Sequence, residues 1–150
     1  MGILSWLHRV TAGEENVGSA TFEPGEEDFH GLNMKDAIDA HVAWKARLAA
    51  QLSGTGSETL EIGIVASDDR CVLGKWIHSE GKKMYGHLPE FAELRCQHAN
   101  FHLNAGNVLL AAHRNGNEAA DKMLHGSEFR HASDMVQLGL VRLYAKSRSI

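Results

Sequence analysis

Two histidines of this 150-residue chain, His98 and His102, lie four residues apart in the stretch "HANFH". The apolar residues around them recur with helical spacing, which places both imidazoles on the inward face of one helix. Two imidazoles packed together away from water leave ring nitrogens without partners, which is costly. A metal ion would satisfy both rings, although this spacing alone is common in helices and does not define a site.

Two further side chains complete a possible donor set. His41 falls on the apolar stripe of another predicted helix, and Cys71 lies at the predicted start of a short helix, where the helix dipole favours a thiolate. Three nitrogens and one sulfur from separate elements match the four-coordinate donor set of Zn²⁺. The sequence therefore predicts a zinc site formed by His41, Cys71, His98 and His102.

The surroundings of such a site also have candidates. Asp39 and Asp69 are near His41 and Cys71 in sequence, and either carboxylate could fix the tautomer of a ligating histidine. Trp44 and Trp76 are placed to pack beside the site and to exclude water from it. His131, on one apolar stripe of the last predicted helix, is the best spare ligand.

The elements that must position these residues are predicted to be helices. Apolar residues recur at helical intervals through most of the chain, and only "LEIGIV" at 60–65 is a candidate strand. We expect an all-α protein, an antiparallel four-helix bundle with an additional short helix that carries the cysteine. The predicted helices cover 32–52, 71–79, from Pro89 to about 114–117, and 118–145.

Residues 1–31 differ from the remainder of the chain in composition. Residues 1–33 hold six acidic side chains and one basic side chain, with several glycines. We therefore expect 1–31 to be an acidic N-terminal arm outside the core, and 32–147 to be a zinc-binding helical bundle domain.

The last predicted helix has two apolar faces and so needs two partners. Leu124, His131, Met135 and Leu138 follow one face, while the other includes Phe129. One face packs in the bundle. The other face predicts a homodimer, with burial under the N-terminal arm as the alternative.

Three separated blocks together resemble the chemoreceptor zinc-binding (CZB) family. They are "AHVAWKARL" at 40–48, "DRCVLGKWIHSEGKKMYGHLPEF" at 69–91, and "HANFHLNAG" at 98–106. The resemblance extends over about 32–145 and implies zinc held by His41, Cys71, His98 and His102. It also implies a dimeric helical bundle with a cytoplasmic sensory or regulatory role in bacteria, responding to zinc or to oxidation of the bound thiolate. No chemoreceptor hairpin or cyclase segment is recognisable, so we expect a stand-alone domain that signals in trans to a partner in chemotaxis or second-messenger control.

Other classes of function fit less well. A net charge of −4 gives no reason to expect nucleic-acid binding, and no apolar run is long enough to span a membrane. An enzyme is not expected: residue 99, where an HExxH motif has glutamate, is alanine, and Glu-x-x-His pairs of di-iron bundles do not recur. The alternatives to a sensor are an adaptor protein with purely structural zinc and, less favoured, a metalloenzyme.

Overall fold

The computed structural model describes residues 2–15, 17–18 and 20–149. Within these ranges the chain forms helices and one short antiparallel hairpin, in which Asp28 pairs with Asn33 and Phe29 with Leu32. The elements in chain order are α1 Ile3–Thr11, β1 Asp28–Phe29, β2 Leu32–Asn33, α2 Met34–Ser53, α3 Ile62–Ala66, α4 Val72–Ile77, α5 Glu80–Tyr85, α6 Pro89–Asn115, α7 Asn117–Leu124 and α8 Ser127–Arg148.

The long helices pack into a bundle around α6, which contacts α2, α3, α7 and α8. The all-α helical-bundle prediction is confirmed. Local signals set the ends of these helices: Asn33 accepts the Asp36 N–H at the start of α2, and Pro89 occupies the first turn of α6. In the described part of the chain, no helix has both the length and the apolar character that a membrane crossing requires.

Three predicted elements differ from the structure. The candidate strand at 60–65 contains the start of the helix α3, and the predicted helix 118–145 is two helices that separate at His125 and Gly126. The predicted helix 71–79 ends earlier, as α4, and a separate short helix, α5, follows it and contains Gly81. A side chain at Gly81 would meet the Trp76 ring at 2.7 Å, so this glycine allows α5 to pack on α4.

The N-terminal segment is not outside the core as expected. Ile3, Trp6 and Phe29 are buried, and α1 packs against α8. The backbone N–H of Ala20 also donates to Oε1 of Gln137 on α8, at 2.9 Å. The segment therefore covers part of the second face of α8, which was the alternative to a dimer.

The two faces of α8 are not equally buried. Phe129 and its neighbours on that face lie in the core, whereas Met135 and Leu138 are half-buried and His131 is exposed. The inward direction predicted for His131 is wrong, because the bundle buries the opposite face of the helix.

Candidate metal centre

The four predicted ligands converge inside the bundle from two helices and the start of a third. His41 comes from α2, His98 and His102 from α6, and Cys71 immediately precedes α4. One donor atom from each of the four residues lies within 4.8 Å of all the others. The structure thus brings together side chains separated by up to 61 positions, from His41 to His102.

Four of the six separations between donor atoms are close to those of a tetrahedral metal site. The Cys71 Sγ lies 3.2 Å from Nε2 of His98, 3.5 Å from Nε2 of His102 and 3.8 Å from Nε2 of His41. The two α6 nitrogens are 3.2 Å apart. A tetrahedron with ordinary Zn–S and Zn–N bonds has S···N edges of about 3.6 Å and N···N edges of about 3.3 Å. The residues present therefore fit a zinc ion without a large rearrangement.

Two backbone carbonyls fix which ring nitrogens face the metal. His41 donates its Nδ1–H to the carbonyl oxygen of Ala37 at 2.8 Å, and His102 donates its Nδ1–H to that of Val65 at 2.9 Å. Because a carbonyl only accepts, Nδ1 must carry the proton in both rings. Each Nε2 then keeps its lone pair and points at the cluster.

Residues 41–109 match the family model of the chemoreceptor zinc-binding domain, and this range contains all four clustered side chains. Over these residues the chain is similar to a CZB domain. Comparisons with curated proteins and with solved structures find no match. CZB is a zinc-binding family and not a family of enzymes, so zinc is the cofactor of this domain.

Cys71 forms the N-cap of α4. Its Sγ accepts the backbone N–H of Gly74 at 3.3 Å. A side chain at Gly74 would collide with the carbonyl oxygen of Asp68, so the first turn of α4 packs directly on the backbone that precedes it. The thiol itself is thus the side-chain cap of this helix.

Burial controls the ionisation of all four side chains in the absence of metal. It lowers the pKa of His41 to about 4 and that of His98 to about 2, where the neighbouring His41 and His102 add to the shift. Burial also lowers the pKa of His102. All three rings are therefore neutral at neutral pH and ready to donate a lone pair.

The pKa of the Cys71 thiol is raised, whereas its position at a helix start suggested that the pKa would be lowered. Burial raises its pKa and outweighs the N–H groups of Gly74 and Leu73, which act to lower it. The helix start alone therefore does not ionise this cysteine. A bound Zn²⁺ would supply the positive charge that stabilises the thiolate.

Of the three histidines, His98 has the fewest hydrogen bonds outside the donor cluster that fix the orientation of its ring. Its side chain is fully buried, and Nδ1 has no hydrogen-bond partner among the described residues. His41 and His102 are oriented through Nδ1, whereas His98 has hydrogen-bond contacts within the described ranges only through Nε2, with Cys71 and His102. A partner at this position would raise the basicity of a ligating imidazole, so His98 is the candidate ligand with the weakest orientation.

The carboxylates predicted beside the ligands are not brought to the histidine rings. Asp39 is exposed and pairs with Lys35 at 2.7 Å, and Asp69 is exposed and lies 3.8 Å from Arg70. Both residues lie on solvent-facing sides of their elements, and the carbonyls of Ala37 and Val65 take the positions expected for them.

The two predicted tryptophans are buried on different sides. Trp44 lies with its ring centroid 6.0 Å from that of His102, in an edge-on arrangement, which fits the expected shielding. Trp76 packs instead against Phe29 and Tyr85, on the side of α4 that faces the hairpin.

Sequence reasoning missed the contribution of α3. This helix supplies the Val65 carbonyl, and it can approach α6 because residue 106 is glycine: a Cβ there would lie 2.7 Å from that of Ala66. Gly106, four residues after His102 on the same helix, was the available signal, since a glycine inside a long helix indicates close approach of another segment.

Proposed function

We propose that His41, Cys71, His98 and His102 hold one Zn²⁺ ion and that Cys71 is its switchable ligand. On this proposal the protein is a bacterial cytoplasmic regulatory module that responds to zinc level or to thiol oxidation. The observation that carries it is the asymmetry of the donor set: one ionisable thiol stands among three neutral imidazoles.

The difference in solvent exposure between Cys71 and the three histidines also supports Cys71 as the switchable ligand. His41, His98 and His102 are 4%, 0% and 1% exposed, whereas Cys71 is only half-buried. An oxidant from solvent therefore meets the sulfur before the nitrogens. Transfer of an oxygen atom from a peroxide-class oxidant to the thiolate gives a sulfenate, a changed sulfur donor. Since Cys71 brings the site's formal negative charge, its oxidation or protonation weakens metal binding.

We infer a zinc-binding unit at 32–147 with 1–31 as an arm that packs on it, and an output that acts in trans on a signalling partner. We also infer a homodimer formed over the part of α8 that α1 leaves open. There Met135 and Leu138 line a cleft of about 1030 Å³ together with Trp6 and Val42.

The test is oxidant-driven zinc release. Zinc-loaded protein is titrated with a mild thiol oxidant while free zinc is followed with an indicator dye and Cys71 oxidation by mass spectrometry. We expect one equivalent of zinc to appear in step with Cys71 oxidation. A C96S variant is the matched control, because Cys96 is exposed and outside the cluster, and it should release zinc as the wild type does. Zinc that remains bound while Cys71 oxidises contradicts the redox switch.

A structural-zinc adaptor is the second candidate, and the position of the site favours it. The donors tie α2, α4 and α6 together inside the core, as a structural site would. Circular dichroism during chelation separates the two functions. A sensor keeps its helices after the metal leaves, whereas an adaptor with structural zinc unfolds.

A further inference from the structure

The β1–β2 hairpin packs against the helix that Cys71 caps. The indole N–H of Trp76, on α4, donates to the carbonyl oxygen of His30 at the hairpin turn, at 3.0 Å. Phe29, next to that turn, is buried with its ring centroid 5.2 Å from those of both Trp76 and Tyr85. The contact on Trp76 combines a directional hydrogen bond with buried aromatic surface. The packing of the hairpin against α4 therefore depends on the position of that helix.

The hairpin turn is held in an unfavourable backbone conformation. His30 has φ of 47°, in the left-handed region that residues other than glycine rarely occupy, and Gly31 follows with φ of 84°. The surroundings hold His30 in place through its carbonyl on Trp76 and through its ring, 5.5 Å from that of Tyr85. Such strain persists only while neighbouring contacts impose it.

Helix α4 lies between this hairpin and the metal centre. Cys71, at its start, contacts the histidines of α2 and α6, while Trp76, five residues later, contacts the hairpin. The element contacts of α4 are chiefly with β2 and α5. The helix therefore has its start at the donor cluster and its Trp76 at the hairpin.

We propose that the β1–β2 hairpin is the output element of the zinc site and that Trp76 couples the two. This inference rests on the proposed function. When Cys71 leaves the metal, α4 loses its tie to the histidines and shifts. The Trp76 indole then leaves the His30 carbonyl, and the strained turn opens. Zinc occupancy is thereby converted into docking or release of the hairpin at residues 28–33.

Coupling between two sites is reciprocal. If zinc favours the docked hairpin by a given factor, then the docked hairpin favours zinc by the same factor. Weakening the hairpin contact at Trp76 must therefore lower zinc affinity, even though Trp76 is not one of the clustered donors. A contact with a purely structural role would lower stability without linking these two quantities.

Hydrogen exchange read by mass spectrometry tests the coupling on the full chain, with and without one equivalent of zinc. The reporters are the hairpin amides and that of Met34, which donates to the Glu27 carbonyl. We expect zinc removal to speed exchange at 28–34 by at least tenfold, with much smaller changes in the C-terminal half of α8. Unchanged exchange at 28–34 in protein that binds stoichiometric zinc overturns the coupling and leaves the zinc site intact. Protein that binds no stoichiometric zinc instead overturns the proposed function.

Two tryptophan variants sharpen the test. W76F keeps an aromatic ring but removes the donor to His30, and it should show fast hairpin exchange with or without zinc, together with weaker zinc binding. W6F is the matched control, because the Trp6 indole donates to the carbonyl of Gly18 instead, at 3.1 Å. It should keep the zinc dependence at 28–34. A W76F protein whose hairpin still follows zinc as in the wild type overturns the role of Trp76.

The variant H30G tests the strained turn independently and does not depend on W76F folding. His30 is exposed, so its replacement removes its ring contact with Tyr85 but no buried side chain, and the backbone carbonyl that Trp76 uses remains. Glycine adopts positive φ at little cost, so the turn should stay closed without zinc. We expect the zinc-dependent difference at 28–34 to shrink. A difference of wild-type size overturns the release of strain as the cause of opening.

Discussion

His102 donates its Nδ1–H to the carbonyl oxygen of Val65 across 2.9 Å, which ties a ring of the metal centre to the short helix α3. Val65 lies in the last turn of that helix, where carbonyls lack partners within the helix. The bond satisfies this carbonyl and at the same time fixes the tautomer of His102. The orientation of one ring thus depends on how closely α3 approaches α6.

This relationship predicts the effect of G106A. The added methyl would lie 2.7 Å from the Ala66 side chain and push α3 away, so the bond from His102 to Val65 lengthens. Loss of such an orienting contact lowers metal affinity by about 10–100-fold. The measurement is competition with a chelating dye at fixed pH. The control is G63A, which adds a methyl to α3 itself at a position with no atom within 4 Å. This variant should bind zinc as the wild type does.

Removal of the thiol should have a larger effect than any change around it. We expect C71S to lower zinc affinity by more than about 100-fold, because it removes a donor and its negative charge and not only an orienting contact. The comparison is with C96S, whose exposed side chain is outside the donor cluster and whose affinity should be unchanged. Equal zinc affinities for the two variants would show that Cys71 is not a ligand.

The pH dependence of zinc binding follows from the pKa shifts. At pH 6 to 8 the imidazoles of His41 and His98 are already neutral, since burial lowers the pKa of His41 to about 4 and that of His98 to about 2, and burial also lowers the pKa of His102. The Cys71 thiol has a raised pKa and must lose its proton to bind. One proton therefore leaves per zinc, and affinity rises about tenfold per pH unit until the pH passes the thiol pKa.

Calorimetry in buffers with different ionisation enthalpies counts these protons directly. Release of about one proton per zinc at both pH 6 and pH 8 supports Cys71 as the group that loses its proton on binding. Two or more protons released at pH 6 would show that the histidines are charged before the metal arrives, against the lowered pKa values.

Packing at the start of α4 predicts a loss of stability for G74A. The new methyl would collide with the Asp68 carbonyl, and backbone cannot move aside as a flexible side chain can. Overpacking of this kind costs about 1–3 kcal/mol, and the melting temperature of the metal-free protein should fall accordingly. A melting temperature equal to that of G63A would show that the first turn of α4 has room for a side chain.

Much of the centre could be predicted from local pattern. His98 and His102 lie on one helical stripe, and His41 lies on the stripe of another helix, so periodicity alone directs all three inward. The start of α6 at Pro89 and the end of α2 before Gly54 likewise follow from residues next to the boundary. The all-α class and the four clustered donors depend on such short-range signals.

The rest depends on contacts between residues far apart in the chain. Val65 and His102 are 37 positions apart, and Trp76 and His30 are 46 apart, and no local pattern indicates which backbone carbonyl meets which ring. The burial of α1 on α8 has the same origin, since an acidic, glycine-containing segment gives little sign of the few apolar side chains that hold it.

The sequence by itself determined the chemistry of this protein: a thiol and three imidazoles, carried on helices that turn them inward. Their types and spacing follow from residue identity and helical periodicity. Only the tertiary structure decided how these groups ionise and to what they are connected. Burial sets the raised pKa of Cys71, and packing of α4 between the metal centre and the hairpin joins the thiol to the N-terminal segment. Both are properties of the surroundings, which exist only once distant parts of the chain have come together.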